Sequence, residues 1–224
     1  MGTTITITSA DGFELSAYRS EPEGATRGGV VVIQEIFGVN IHIREVADRY
    51  AAAGYLAIAP AVFDRAERGV DLGYTDADIQ TGFGFAFGKV DFGNVLADAA
   101  AAGQVAAEAG KVGIVGYCFG GLVTAASAIN SGSVFSAASS YYGGNTISLI
   151  GQKPAIPMIC HYGEKDHFIP LTDVDKIKAA WSGSVVHTYP SDHGFNCDQR
   201  ASFHAQSAAV AQARTFRFFG DVLG

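Results

Sequence analysis

The stretch KVGIVGYCFGGLVTAASAI, residues 111–129, constrains the fold more than any other part of the chain. An apolar run of strand character meets Gly116-Tyr117-Cys118-Phe119-Gly120 and passes at once into an alanine-rich helical segment. A residue held on so sharp a strand-to-helix turn permits no bulky neighbours two positions away, which gives both glycines a steric reason. Cys118 at the tip has two readings. It is a small buried hydrophobe, as unpaired cysteines commonly are, or a nucleophile held in front of the fold.

The rest of the chain repeats the strand-and-helix theme. TTITIT and FELSAYRS read as two short strands joined at Asp11-Gly12, a hairpin signal. In GGVVVIQEIFGVN the run from Val30 to Ile33 is continuously apolar, as in a strand covered on both faces. A helix is expected from Ile41 to Ala53, ending at Gly54, and YLAIAPAVF reads as a further buried strand. Asn94 to Ala109 reads as a helix closed by Gly110. VFSAASSYYGG, AIPMICHYGEKD and SVVHTYPSDHGF supply three more strands, and a last helix runs from about Phe203 to Phe219. The alternation implies an α/β fold: a mostly parallel central sheet with helices on both faces, preceded by an antiparallel hairpin.

At 224 residues, with 48% hydrophobic and 17% charged residues, the chain is expected to form one domain over residues 1–224. The net charge of −7 argues against nucleic acid or an anionic membrane as a partner. The opening MGTTITITSADGF alternates like a strand and lacks a basic segment followed by an apolar one, so no secretory leader is expected. No apolar run reaches the length of a membrane span. Three cysteines, Cys118, Cys160 and Cys197, make neither a disulfide framework nor a zinc-knuckle spacing. A cytoplasmic setting is the expectation, and a monomer is the default.

In sheets of this kind ligands bind beyond the carboxyl ends of the strands. There Glu35 follows VVVIQ, Cys118 follows VGIVGY, Asp166 follows MICHYGEK and His193 follows VVHTYPSD. A cysteine nucleophile needs a base, and the base needs an orienting group. In a nucleophile-elbow architecture the order is nucleophile, acid, histidine, which Asp166 and His193 satisfy. His161 and His187 lie within strands, His42 and His204 in helical segments, and His167 ahead of the last strand. Asp192 adjoins His193 and would have to fold back on its neighbour. The backbone N–H groups of Ile36 and Phe119 are the candidates for an oxyanion hole. Glu35 either takes part in this chemistry or forms a salt bridge with Arg44 or another cation. Residues 64–88 are long and weakly patterned, as a cover over a site would be. Within them Phe83, Phe85 and Phe87 either line a pocket or anchor the segment on the core.

QEIFGVN, GYCFGG, GEKDHFIP and DHGF together resemble the dienelactone hydrolases, a family of α/β-hydrolases with a cysteine nucleophile. The resemblance covers nearly the whole chain, from the third strand to the last helix. It implies Cys118, Asp166 and His193 as a catalytic triad, with Glu35 contacting the thiol at rest and helping to deprotonate it when substrate enters. It implies the Ile36 and Phe119 amides as the oxyanion hole, a small-molecule ester or lactone as substrate, and no cofactor or metal. In one respect this chain departs from the pattern. Members of the family hold the substrate carboxylate with one arginine before the elbow and another just past the histidine. Here no arginine lies between Arg68 and Arg200, and Cys197 stands four after His193. Arg65, Arg68 and Arg200 are the candidates to replace them. A catalytically silent binding protein is the alternative that the missing arginines suggest, and a redox sensor built on Cys118 is a weaker one.

Overall fold

The computed structural model describes residues 2–130, 132 and 134–224. Among them eight strands form one sheet in the order β1-β2-β4-β3-β5-β6-β7-β8. β1 (Thr3–Thr8) and β2 (Glu14–Ser20) are the antiparallel hairpin. β2 also runs antiparallel to β4 (Leu56–Pro60). From β4 onward the pairing is parallel through β3 (Gly29–Ile33), β5 (Val112–Tyr117), β6 (Phe135–Tyr141), β7 (Met158–Gly163) and β8 (Val185–Tyr189). This is an α/β-hydrolase architecture.

Burial follows the sequence pattern. Every residue of β3, β4 and β5 is buried, whereas the edge strand β1 exposes alternate positions. Each Val or Ile so covered contributes about 1.5–3 kcal/mol, so the centre of the sheet is its most rigid part. Helices cover both faces. α1 (Ile41–Ala52) and α6 (Ala205–Val222) meet where Tyr50 packs on Phe216, with ring centroids 5.1 Å apart. α3 (Phe92–Ala106) and α4 (Phe119–Ile129) touch one another and the central strands.

Two helices were not expected from the sequence. α2 (Asp76–Gly84) lies inside the 64–88 segment, started by a reciprocal cap in which Thr75 and Asp78 bond each other's backbone. A π-helical turn, Phe85–Lys89, continues it. α5 (Leu171–Ala180) follows Pro170 and buries Val174 and Ile177, three residues apart on one face.

Parallel register decides which loops meet. Ile33 sits opposite Gly116, so the loop after β3 lies beside the turn after β5. Gly163 sits opposite Tyr189, so the loops carrying Asp166 and His193 also lie side by side.

Candidate active site

Cys118 occupies the turn between β5 and α4 with φ 55° and ψ −112°, a left-handed conformation that non-glycine residues rarely adopt. Such a residue costs of order 1–3 kcal/mol and persists only where its surroundings fix it. Here the Cys118 N–H donates to Tyr141 O at 3.0 Å, and its carbonyl accepts from Gly121 N at 2.9 Å. The flanking glycines are required by space. A Cβ on Gly116 would lie closer than 3.0 Å to Gly120 O, and one on Gly120 closer than 3.0 Å to Ile33 O. The side chain of Cys118 is partly exposed, whereas Cys160 and Cys197 are buried.

Opposite the sulfur stands His193. Its Nδ1 lies 2.8 Å from Asp166 Oδ2, and both residues are buried. The other oxygen of Asp166 accepts from the amides of Phe168 at 2.8 Å and Ile169 at 3.1 Å, which fixes the carboxylate. Burial works against a charged His193 ring. The Cys118 sulfur beside it, and then the Asp166 hydrogen bond, outweigh burial and raise its pKa to about 10. Asp192 does fold back, but its Oδ1 accepts from the His193 backbone amide at 2.6 Å rather than from the ring. The other histidines are engaged elsewhere: His161 bonds Tyr189 and Thr215, and His204 caps α6.

The amides of Ile36 and Phe119 flank the elbow. Among the described residues neither donates a hydrogen bond outside the regular helix and strand ladders. Phe119 opens α4, so its amide is one of the unpaired donors at a positive helix end. Glu35 is buried, and its partner is Arg200, whose Nη1 donates to Oε1 at 3.3 Å. The sequence left open the thiol, Arg44 or another cation; the structure gives the salt bridge to another cation, since Arg44 is held by Asp71 and Val39 O. Close approach explains the neighbouring Gly194, at φ +75°: a Cβ there would lie closer than 3.0 Å to the Arg200 guanidinium.

Cys118, His193 and Arg200 face one cavity of about 290 Å³, whose wall is completed by Ile36, Phe37, Ile79, Phe83, Phe87, Phe168, Gly144 and Asn145. The 64–88 segment divides the phenylalanines by helical phase. Phe83 and Phe87 stack with centroids 5.8 Å apart and line the cavity. Phe85 instead turns inward, fully buried against Phe63, so for it the anchoring reading holds. Arg65 and Arg68 are not in the cavity wall. Arg65 is tied to the buried Asp98 at 2.8 Å and to Asp11 at 2.7 Å. Arg68 bonds Glu14 O at 2.8 Å. Both guanidinium groups lie over the Phe13 ring near the hairpin. Arg200 is the cation that the fold delivers. Sequence reading placed no weight on Phe168 or Asn145. The left-handed φ of 60° at Asn145, after the glycine pair of YYGGN, is the signal that marks that turn.

A left-handed cysteine sits between a buried parallel strand and a helix of an α/β-hydrolase fold and faces an Asp-bonded histidine. Residues 15–223 match the dienelactone hydrolase family, and the chain belongs to it. It is 34% identical to a "Putative carboxymethylenebutenolidase" of Synechocystis sp., with 97% of this chain and 96% of that one aligned. A protein of the same description from Azospirillum brasilense is also 34% identical, over 99% of this chain and 100% of its own. Among solved structures, a "Putative Dienelactone Hydrolase" from Klebsiella pneumoniae superposes with a TM-score of 0.83. It shares 32% identity over 97% of this chain and 98% of its own. Among the described residues no helix is long and apolar enough to cross a membrane.

Proposed function

We propose that this chain hydrolyses enol-lactones and activated carboxylic esters through a thioester on Cys118. The single observation that carries the reading is the Asp166-bonded His193 sharing one cavity with the Cys118 sulfur. With the thiol proton held on His193, the sulfur attacks the substrate carbonyl. The oxyanion is held by the Ile36 and Phe119 amides. Collapse breaks the C–O bond, and the departing enolate or aryloxide takes the proton back from His193. Water then gives a proton to His193, attacks the thioester and releases the acid, which leaves the freed sulfur beside the protonated ring as at the start. A thiolate is itself readily expelled, so good leaving groups turn over and amides do not.

Arg200 supports a substrate that carries its own carboxylate. It lines the cavity and already holds Glu35, so an incoming carboxylate competes with Glu35 for the same guanidinium. Residues 64–88 act as the cover, with Phe83 and Phe87 against the organic part of the substrate. A thiol nucleophile and three unpaired cysteines suit a reducing compartment such as the cytoplasm.

The test is an aryl acetate assay with acid-quench mass spectrometry. The expected result is steady turnover, an acetyl group trapped on the Cys118 peptide, and loss of both in Cys118→Ala. Turnover unchanged in that variant overturns the mechanism; acylation without turnover favours a silent binding protein.

A further inference from the structure

Beside the Arg200–Glu35 pair the fold assembles three ligating side chains that the proposed reaction does not require as a group. One ligand atom from each of Glu35, His42 and Cys197 lies within 4.8 Å of the other two, and all three residues are buried. Two of the atoms there lack partners. Glu35 Oε2 and His42 Nε2 are buried and make no hydrogen bond among the described residues. Unpaired polar atoms in a protein interior are costly, and a pair of them pointing at one space calls for an occupant.

The chemistry of the donors narrows that occupant. His42 Nδ1 lies 3.0 Å from Asp198 Oδ1, and Asp198 is in turn 3.6 Å from Arg49. An imidazole that gives its Nδ1 proton to a carboxylate leaves an Nε2 lone pair facing inward. That carboxylate–histidine arrangement orients metal ligands. The Cys197 sulfur lies beside Glu35 and against the Tyr74 hydroxyl, a soft donor next to the two unpaired hard ones. Arg200 occupies only Oε1 of Glu35, leaving Oε2 for a second cation.

We propose that Glu35, His42 and Cys197 form a site for a divalent ion of the zinc class, with Asp198 as the outer partner of His42. Nitrogen, sulfur and one carboxylate oxygen suit Zn²⁺ or Co²⁺ and not Mg²⁺ or Ca²⁺, which prefer oxygen. A tetrahedral ion with bonds of about 2.0–2.3 Å places its ligands about 3.3–3.8 Å apart, so the cluster closes by at most about 1.5 Å. The fourth position takes solvent. On binding, the Cys197 thiol loses its proton to solvent and the sulfur ligates as thiolate. The site lies outside the bond-making steps, and it stands or falls independently of the hydrolytic reading.

The experiment is a Co²⁺ titration of the intact Cys118→Ala protein, in which the nucleophilic thiol is absent. One equivalent is expected to bind with a thiolate-to-cobalt absorption band, displaced by Zn²⁺. Cys197→Ser is expected to abolish the band. Asp198→Asn, at a half-exposed position, is expected to weaken binding about 10–100-fold while leaving the fold intact. Absence of binding in Cys118→Ala overturns the site and leaves the pocket to a water molecule. A band that survives Cys197→Ser, or affinity unmoved by Asp198→Asn, places the ion elsewhere and overturns it equally.

Discussion

The cavity has two walls of different construction. One wall is the elbow with Asp166 and His193, carried on the ends of β5, β7 and β8 and fixed by short hydrogen bonds to the backbone. The other is α2, the π-helical turn after it, Phe168 and Arg200, carried on segments outside the sheet. Phe87 and Phe168 on this second wall are 57% and 65% exposed, against 7% for His193. On the proposed function, the contrast separates chemistry from recognition. A rigid sheet edge holds atoms that must meet within tenths of an ångström, while a looser wall sets which molecules enter.

The sharpest way to break this division is Asp166→Asn. It is expected to lower kcat about 10³–10⁴-fold on every substrate, because the imidazole loses its orienting acceptor whatever is bound. A loss confined to one substrate class would move Asp166 into the recognition wall. Next in size is Arg65→Ala, which strands Asp98 in the core and is expected to reduce unfolding free energy by about 3–5 kcal/mol in urea titrations. It should leave KM for carboxylate-bearing esters unchanged, whereas Arg200→Ala raises that KM and spares neutral esters. Gly116→Ala is expected to cost about 1–3 kcal/mol through overpacking. Gly144→Ala, with nothing within 4 Å of the added carbon, should stay within about 0.5 kcal/mol. Equal effects would remove the steric argument for the elbow.

A pH slope of stability probes the same catalytic wall from another side. His193 holds its proton more tightly in the folded protein, with a pKa raised from 6.5 to about 10. Its contribution to stability is therefore complete below about pH 6.5 and is lost as the pH rises towards 10. Imidazole NMR should show His193 protonated at pH 8 in the unmodified protein and at a lower pKa in Cys118→Ala. An unaltered titration would mean that the sulfur is not its main partner.

Most of the first wall was legible in the sequence, because strand burial, glycine spacing and chain order are local signals. β3, β5 and the 111–129 stretch lie where their apolar runs put them. The second wall was not. α2 is short and mostly exposed, so it leaves no clear apolar stripe. Which of Arg65, Arg68 and Arg200 reaches the cavity was not legible, because a charge chooses its partner through space: Glu35 finds Arg200 across 165 positions, and Arg65 finds the buried Asp98. Nor could periodicity decide that Phe85 packs inward while Phe83 and Phe87 face the cavity. That depended on helical winding that carries straight from α2 into the π-helical turn.

Gly82 in α2 has a further consequence. It packs so closely on Ile36 that a methyl group there would lie closer than 3.0 Å to the Ile36 carbonyl, and Gly38 pairs with Asp71 a few residues away. The second wall is thus clamped to the loop whose Ile36 amide is proposed to hold the oxyanion. Anyone grafting a foreign helix there to widen the substrate range would also be retuning the rate, since that amide cannot stay put while its clamp is replaced.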